Sequence, residues 1–218
     1  MRPKKRTPAH TTDQLAELIC SNSLGSVRLS RAQGLLKEEL RLLDCELLKI
    51  AQECSVPAGT ALTVDRECFA SKVTQSIEEH PLIDLIREEV TEIPRGLTIL
   101  ASGPLTSEAL TRSIKKFCGE DFLYFYDAVA PIVSRDSFDL SKLVQASRYD
   151  AGEAGFLNSF MDKEEYLRLH AALISAKQHP LHEVDKDREF FEGCLPIEEI
   201  ARRGERSLAF GPLRPTGF

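Results

Sequence analysis

The run Leu97-Thr98-Ile99-Leu100-Ala101 leads straight into Ser102-Gly103-Pro104 and then into a helical pattern that opens near Ser107 and closes at Gly119. No other feature constrains the fold as much. An apolar strand without polar alternation asks to be buried on both faces, as in a parallel sheet, and the turn after such a strand is where α/β proteins meet ligands. The reading is an α/β chain whose Ser102-Gly103 turn faces a ligand.

The remaining periodicities fit that class. From Ser30 to Glu53 the residues Leu35, Leu36, Leu40, Leu43, Leu47, Leu48, Ile50 and Ala51 recur at helical spacing, which predicts the longest helix of the chain, ended by Pro57-Ala58-Gly59. Ala61 to Val64 reads as a short strand, and Phe69, Val73 and Ile77 give an amphipathic helix closed at His80-Pro81. Leu82 to Ile93 reads as one or two half-exposed strands, and Thr12-Asp13 opens a short helix through Ile19. The aromatics of Phe122-Leu123-Tyr124-Phe125-Tyr126 suit buried strands, because the basic residues that interleave a base-stacking platform are missing around them. Asp162 with Glu165 is a capping box for a helix through Ile174. A short helix through Arg203 and a strand from Ser207 to Phe210 complete the reading.

Charge and apolar content exclude some function classes. With 42% hydrophobic residues among 218 the chain can fill one large or two small cores, and no run reaches the ~20 apolar residues of a membrane-spanning helix. Behind Met1-Arg2-Pro3-Lys4-Lys5-Arg6 there is no apolar stretch to make a secretory signal, so a cytoplasmic protein is expected. A net charge of −6 argues against coating nucleic acid by bulk electrostatics, yet Arg2, Lys4, Lys5 and Arg6 cluster at one end and Arg202, Arg203, Arg206 and Arg214 at the other, and could form a phosphate-facing patch if the two ends meet; solvated ends fit the pattern equally. His179 and His182 have no further ligands beside them, so no metal site is expected.

Six cysteines, Cys20, Cys45, Cys54, Cys68, Cys118 and Cys194, show no C-x-x-C pair, and in a reducing compartment they are expected as thiols. Four fall in helical patterns and read as small buried hydrophobes. Cys20 and Cys194 instead stand in loops. Cys194, in Phe190-Phe191-Glu192-Gly193-Cys194-Leu195-Pro196, precedes a helix whose positive end favours the thiolate. Cys20 leads into Ser21-Asn22-Ser23, small polar side chains that can hold a loop near a ligand. Two such thiols suit addition to an electron-poor ring or carbonyl, or a place beside a flavin ring; inert loop thiols fit the pattern too.

Taken together, several stretches in chain order resemble one family: Thr7-Pro8-Ala9-His10, Glu17-Leu18-Ile19-Cys20-Ser21-Asn22-Ser23-Leu24, Gly34-Leu35-Leu36-Lys37-Glu38-Glu39, Val64-Asp65-Arg66, Ala101-Ser102-Gly103-Pro104-Leu105-Thr106-Ser107, Ser147-Arg148-Tyr149-Asp150, Phe190 to Ile197, and Phe210-Gly211-Pro212. The family is that of the folate- and FAD-dependent tRNA (uracil-5-)-methyltransferases of the TrmFO type, relatives of the GidA/MnmG flavoproteins. The resemblance implies methylation of uracil C5 in the tRNA T-loop, with 5,10-methylenetetrahydrofolate as one-carbon donor, FAD as redox cofactor and NAD(P)H as reductant. It implies Cys194 as the thiolate that adds to uracil and Cys20 as its acid/base partner, with Ser102, Gly103, Ser21 and Asn22 beside the cofactor. It further implies a partial FAD-binding, Rossmann-like domain over residues 1–106 and mainly an inserted α/β substrate domain over 107–218.

The family is expected to continue beyond Gly217-Phe218, and within the chain three further departures stand out. The Gly-x-Gly-x-x-Gly turn that cradles the cofactor pyrophosphate is not in this sequence, so the chain by itself is expected to hold FAD weakly. Gly25 stands where the family usually has arginine, and Ser159-Phe160 where it usually has Cys-Pro. An incomplete chain of a methyltransferase is therefore the first expectation, and a non-catalytic remnant that binds tRNA or a partner flavoprotein is the second.

Overall fold

The structure, a computed structural model, describes residues 10–103, 106–119, 134–147, 154–177 and 197–215. Their backbone forms two compact units, one from residues up to 56 and from 60 through 119, the other from residues 57–59 and from 134 onward.

In the first unit three short strands make an antiparallel sheet in the order β1-β3-β2, formed by β1 (Ser23–Ser26), β2 (Ser55–Val56) and β3 (Ala61–Val64). Ser23 lies opposite Thr63 and Ser26 opposite Ala61, with a register irregularity between them, while Ser55 faces Val64 on the other edge. The β-branched and apolar residues of β3 explain its central place, since Leu62, Thr63 and Val64 are all buried. Helices α1 (Ala32–Leu42), α2 (Glu46–Glu53) and α3 (Arg66–Glu78) flank the sheet. Leu48, Ile50, Ala51 and Cys54 from α2 and its end meet Leu62 and Val64 of β3 and Phe69 and Val73 of α3 in one core.

The helix expected over 30–53 divides at Leu43–Cys45. Asp44 takes a φ of 59°, in the left-handed region that ends a helix, and Lys49 Nζ pairs with its carboxylate at 2.8 Å. The apolar spacing continues across the break, so periodicity could not register it. At Gly34 the approach of α1 to the chain before it is close: a Cβ there would stand 2.0 Å from the Arg28 carbonyl oxygen. The helix expected from Phe69, Val73 and Ile77 is α3, begun one turn earlier by Asp65, whose side chain accepts from the Cys68 N–H at 2.8 Å.

Helix α4 (Glu108–Cys118) forms as the sequence indicates, with Ser107 as N-cap and Gly119 in the left-handed conformation after its last turn. The strand expected before it does not form. Residues 97–101 take no strand pairing, and Leu97 and Ile99 are exposed. An apolar strand needs a neighbouring ladder, and among the described residues none runs beside this one. The half-exposed strands expected over 82–93 and the helix expected through Ile19 are likewise absent, leaving turns and extended chain. The sheets among the described residues are thus antiparallel, and the parallel unit anticipated from 97–119 is not among them.

The second unit holds an antiparallel pair, β4 (Val144–Ala146) and β5 (Phe156–Asn158), with Val144 opposite Asn158. Helix α5 (Lys163–Ser175) starts at the expected capping box: Asp162 accepts from the Glu165 N–H at 2.8 Å and Glu165 accepts from the Asp162 N–H at 3.1 Å. Helix α6 (Ile197–Arg202) packs against α5. Residues 207–210 are wound into successive turns rather than the expected strand. The Ser207 N–H donates to Gly204 at 3.0 Å and the Phe210 N–H to Arg206 at 3.1 Å. Gly211 permits the winding, because a Cβ there would meet the Ser207 carbonyl oxygen at 2.5 Å. The aromatic stretch 122–126, the histidines His179 and His182 and the loop around Cys194 lie outside the described residues.

Candidate functional site

An irregular segment, residues 11–22, is laid across α3 by side chains that reach its backbone. Leu15, Ala16 and Leu18 pack on the core from this segment. The Leu15 N–H donates to Thr74 Oγ1 at 2.8 Å, and the Arg87 guanidinium donates to the Asp13 carbonyl at 2.7 Å. Near the far end, Arg66 in the first turn of α3 donates through Nη1 to the Leu18 carbonyl and through Nη2 to the Cys20 carbonyl at 3.0 Å. Asn22 then locks the segment to the sheet: its Nδ2 donates to the Val64 carbonyl at 2.9 Å and its own carbonyl accepts from the Val64 N–H at 3.0 Å.

Cys20 therefore sits between two fixed points, with an exposed, unbridged thiol. Its neighbour Ser21 is exposed and uses its hydroxyl oxygen to accept from the Ser23 N–H at 3.0 Å, an acceptor role that leaves the hydroxyl its capacity to donate. Asn22, expected beside a cofactor, spends its amide on holding the loop.

Among the described residues the segment also carries the most perturbed acid, Glu17. Burial would raise the Glu17 carboxyl above its usual range, but hydrogen bonds from the backbone and hydroxyl of Thr11 and from Thr12 outweigh it and lower the carboxyl to about 2. Glu17 is thus an ionised fastener that folds residues 11–12 back on the segment.

The expected Ser102-Gly103 turn is closed by its own bonds. Ser102 Oγ and Thr106 Oγ1 are 2.6 Å apart, and Thr106 Oγ1 donates to the Gly103 carbonyl at 2.7 Å. Gly103 has a φ of 66° and nothing within 4 Å of where a Cβ would be, so one face of this turn is open. Cys194 lies outside the described residues.

Two groups in this region were not marked by the sequence reading. Arg66 stood in a matching stretch, but nothing in its spacing indicated that it would clamp the Cys20 backbone. Cys54 and Cys68, expected as thiols, are joined in a disulfide with a Cα separation of 5.8 Å. The end of α2 and the first turn of α3 meet there behind β3, a contact that spacing along the chain does not reveal. Cys54 is buried as expected of a small hydrophobe, whereas Cys118 is exposed and Cys45 half-buried. Among the described residues no group of three or more His, Cys, Asp or Glu is placed to hold a metal ion, and no helix is long and apolar enough to cross a membrane.

Comparison with known proteins gives a consistent match. Residues 6–218 match the family model described as glucose inhibited division protein A. The chain is 57% identical over its whole length to the methylenetetrahydrofolate–tRNA-(uracil-5-)-methyltransferase TrmFO of Bacillus subtilis strain 168, covering 50% of that protein. It is 55% identical, with the same coverage, to the proteins of that name from Bacillus licheniformis and Lysinibacillus sphaericus. The chain spans about half the length of the curated relatives it matches.

Proposed function

Because the chain belongs to the glucose inhibited division protein A family, we propose that it is part of a cytoplasmic, folate- and FAD-dependent tRNA (uracil-5-)-methyltransferase acting on the T-loop uridine. The observation that carries this reading is the exposed Cys20 thiol on a backbone held by Arg66 and Asn22. A fixed, accessible thiol is what proton transfer at a ring carbon requires.

Uracil C5 is a weak nucleophile until a group adds at C6. In the proposed reaction the Cys194 thiolate forms a bond to C6, and the C5–C6 π electrons move onto C5 and the C4 carbonyl. The enriched C5 takes the one-carbon unit of methylenetetrahydrofolate. Cys20 then accepts the C5 proton, and the electron pair left behind breaks the bond between the transferred carbon and the folate nitrogen, releasing tetrahydrofolate and leaving a methylene on C5; when that carbon is reduced to methyl, the C5–C6 double bond re-forms and the Cys194 sulfur leaves C6. The clamp matters because acid/base catalysis depends on distance: the sulfur must sit within hydrogen-bond reach of the proton it takes.

The flavin partner can be tested against the chain at one place. The open face at Gly103, where no atom stands within 4 Å of a would-be Cβ, suits the close approach of a planar ring, and Ser102 and Ser21 add exposed hydroxyls. At this turn Ser102 and Gly103 would hold the group, with Ser21 and Asn22 of the Cys20 loop proposed as its further contacts. FAD, when bound, supplies the electrons that reduce the transferred carbon to a methyl group, with NAD(P)H as their source. Residues 1–106 are assigned to a partial FAD-binding, Rossmann-like domain and 107–218 mainly to an inserted substrate domain.

The test uses the full-length protein, unmodified tRNA and methylenetetrahydrofolate carrying an isotopic label, with nucleoside mass spectrometry as readout. Labelled 5-methyluridine is expected with the wild type and is lost in Cys194→Ala and in Cys20→Ala. tRNA binding without any methyl transfer by the wild type would overturn the enzymatic reading in favour of a binding protein.

A further inference from the structure

The basic residues at the end of the chain are carried on a rigid support that the proposed chemistry does not use. The end of α6 and the turns that follow it are anchored inward at two fully buried residues, Ala201 in the helix and Leu208 in the turns. Helix α5 bonds to the backbone at Ala201 and on either side of Leu208. His170 Nε2 lies 3.0 Å from the Ala201 carbonyl oxygen. The Tyr166 hydroxyl donates to the Glu205 carbonyl and accepts from the Ala209 N–H at 3.3 Å. The Leu213 N–H closes the last turn on the Leu208 carbonyl at 2.9 Å.

Outward from this support stand Arg203, Arg206 and Arg214, all exposed, while Arg202 is paired with Glu199. Phe210 lies between Arg206 and Arg214 in the sequence, four residues from each, and is 72% exposed. An exposed aromatic with arginines on both sides is the combination that binds unpaired nucleotides, the ring stacking on a base and the guanidinium groups meeting phosphate. The aromatic stretch 122–126 lacks interleaved basic residues; the 203–214 turns have them.

We propose that Arg203, Arg206, Phe210 and Arg214 form a docking surface for an RNA loop, with Phe210 stacking on an unpaired base and the arginines contacting the backbone. This rests on the tRNA reading above and specifies where the RNA is held. The support is preorganised by buried Ala201 and Leu208, so little backbone freedom is lost when the RNA docks.

The experiment measures binding of the full-length protein to an unmodified tRNA across a salt series. Arg206→Ala with Arg214→Ala is expected to flatten the plot of log affinity against log salt by roughly 1 to 2, because each lost phosphate contact removes about 0.7 to 0.9 from the slope. Phe210→Ala and Phe210→Leu are expected to weaken binding about tenfold with the slope unchanged, since stacking is not ionic. If the wild type neither binds nor methylates tRNA, the functional reading itself fails. If the wild type does both and the arginine and Phe210 variants bind as tightly with the same slope, the docking surface is overturned. A large drop in melting temperature of Phe210→Leu with unaltered tRNA affinity would assign Phe210 to packing against the rest of the protein, and would overturn it as well.

Discussion

Arg66→Ala should loosen the Cys20 loop without unfolding the protein. Arg66 is half-buried and makes two charge-assisted hydrogen bonds, to the Leu18 and Cys20 carbonyls, that hold the strap from one side. Such bonds contribute about 1.5–3 kcal/mol each when well shielded. Cys20 itself is exposed, and water will replace part of what is lost, so about 1–2 kcal/mol for the pair is the reasonable total. Because 1.4 kcal/mol is a factor of ten, the loop should open about tenfold more often. The direct assay is hydrogen exchange read by mass spectrometry over residues 15–22. Amides there should exchange roughly tenfold faster in Arg66→Ala, while α3 and β3 keep wild-type protection. In the methyl-transfer assay the same variant should lower kcat with little change in KM for tRNA, and Arg66→Lys should restore part of it. Wild-type exchange in the strap together with a lost kcat would refute the clamp as the reason Arg66 matters.

Other consequences follow from the first unit. The Cys54–Cys68 bridge closes a span of 14 residues, so Cys54→Ala with Cys68→Ala should cost up to about 3 kcal/mol in denaturant unfolding; thiol alkylation of the unfolded protein with and without reductant counts the bridge directly. Glu17 has a carboxyl lowered from 4.5 to about 2 in the folded protein, so its contribution to stability is present above pH 4.5 and is lost as pH falls toward 2. Glu17→Gln should accordingly flatten the acid side of the stability curve in that window, and an unchanged acid limb would contradict the assignment. Gly34→Ala should destabilise by about 1–3 kcal/mol or more, because its Cβ would collide with the Arg28 backbone rather than with a movable side chain; urea titration measures it.

Local signals in the sequence were reliable where the structure is local. The Asp162–Glu165 capping box, the Ser107 and Gly119 ends of α4, and the spacing of Phe69, Val73 and Ile77 each depend on residues within one or two turns, and each is present. Strands were legible only with a partner in reach. Ala61–Val64 pairs on both sides, whereas Leu97–Ala101 reads as a strand by composition and finds no ladder among the described residues. The reading of 207–210 as a strand failed because Gly204 and Gly211 let the chain wind tightly around buried Leu208.

The site divides in the same way. The loop position and accessibility of Cys20 were evident from its small polar neighbours, as was the glycine turn at Ser102-Gly103. What fixes Cys20 was not evident. Arg66, Thr74 and Arg87 reach the strap from 46 to 74 residues away, and no periodicity encodes a side chain donating to a distant carbonyl. The Cys54–Cys68 bridge was hidden for the same reason, since it arises only when α2 and α3 close over β3.

The central claim is that Cys194 and Cys20 act together on one uracil ring. Its most direct measurement is release of tritium from tRNA carrying 5-tritiated uridine at the target position, using the full-length protein. Addition at C6 makes the C5 hydrogen removable, so the wild type should release tritium in step with methyl transfer. Cys194→Ala should release none because no adduct forms, and Cys20→Ala should release little because the proton has no acceptor. Release at the wild-type rate in either variant would contradict the account.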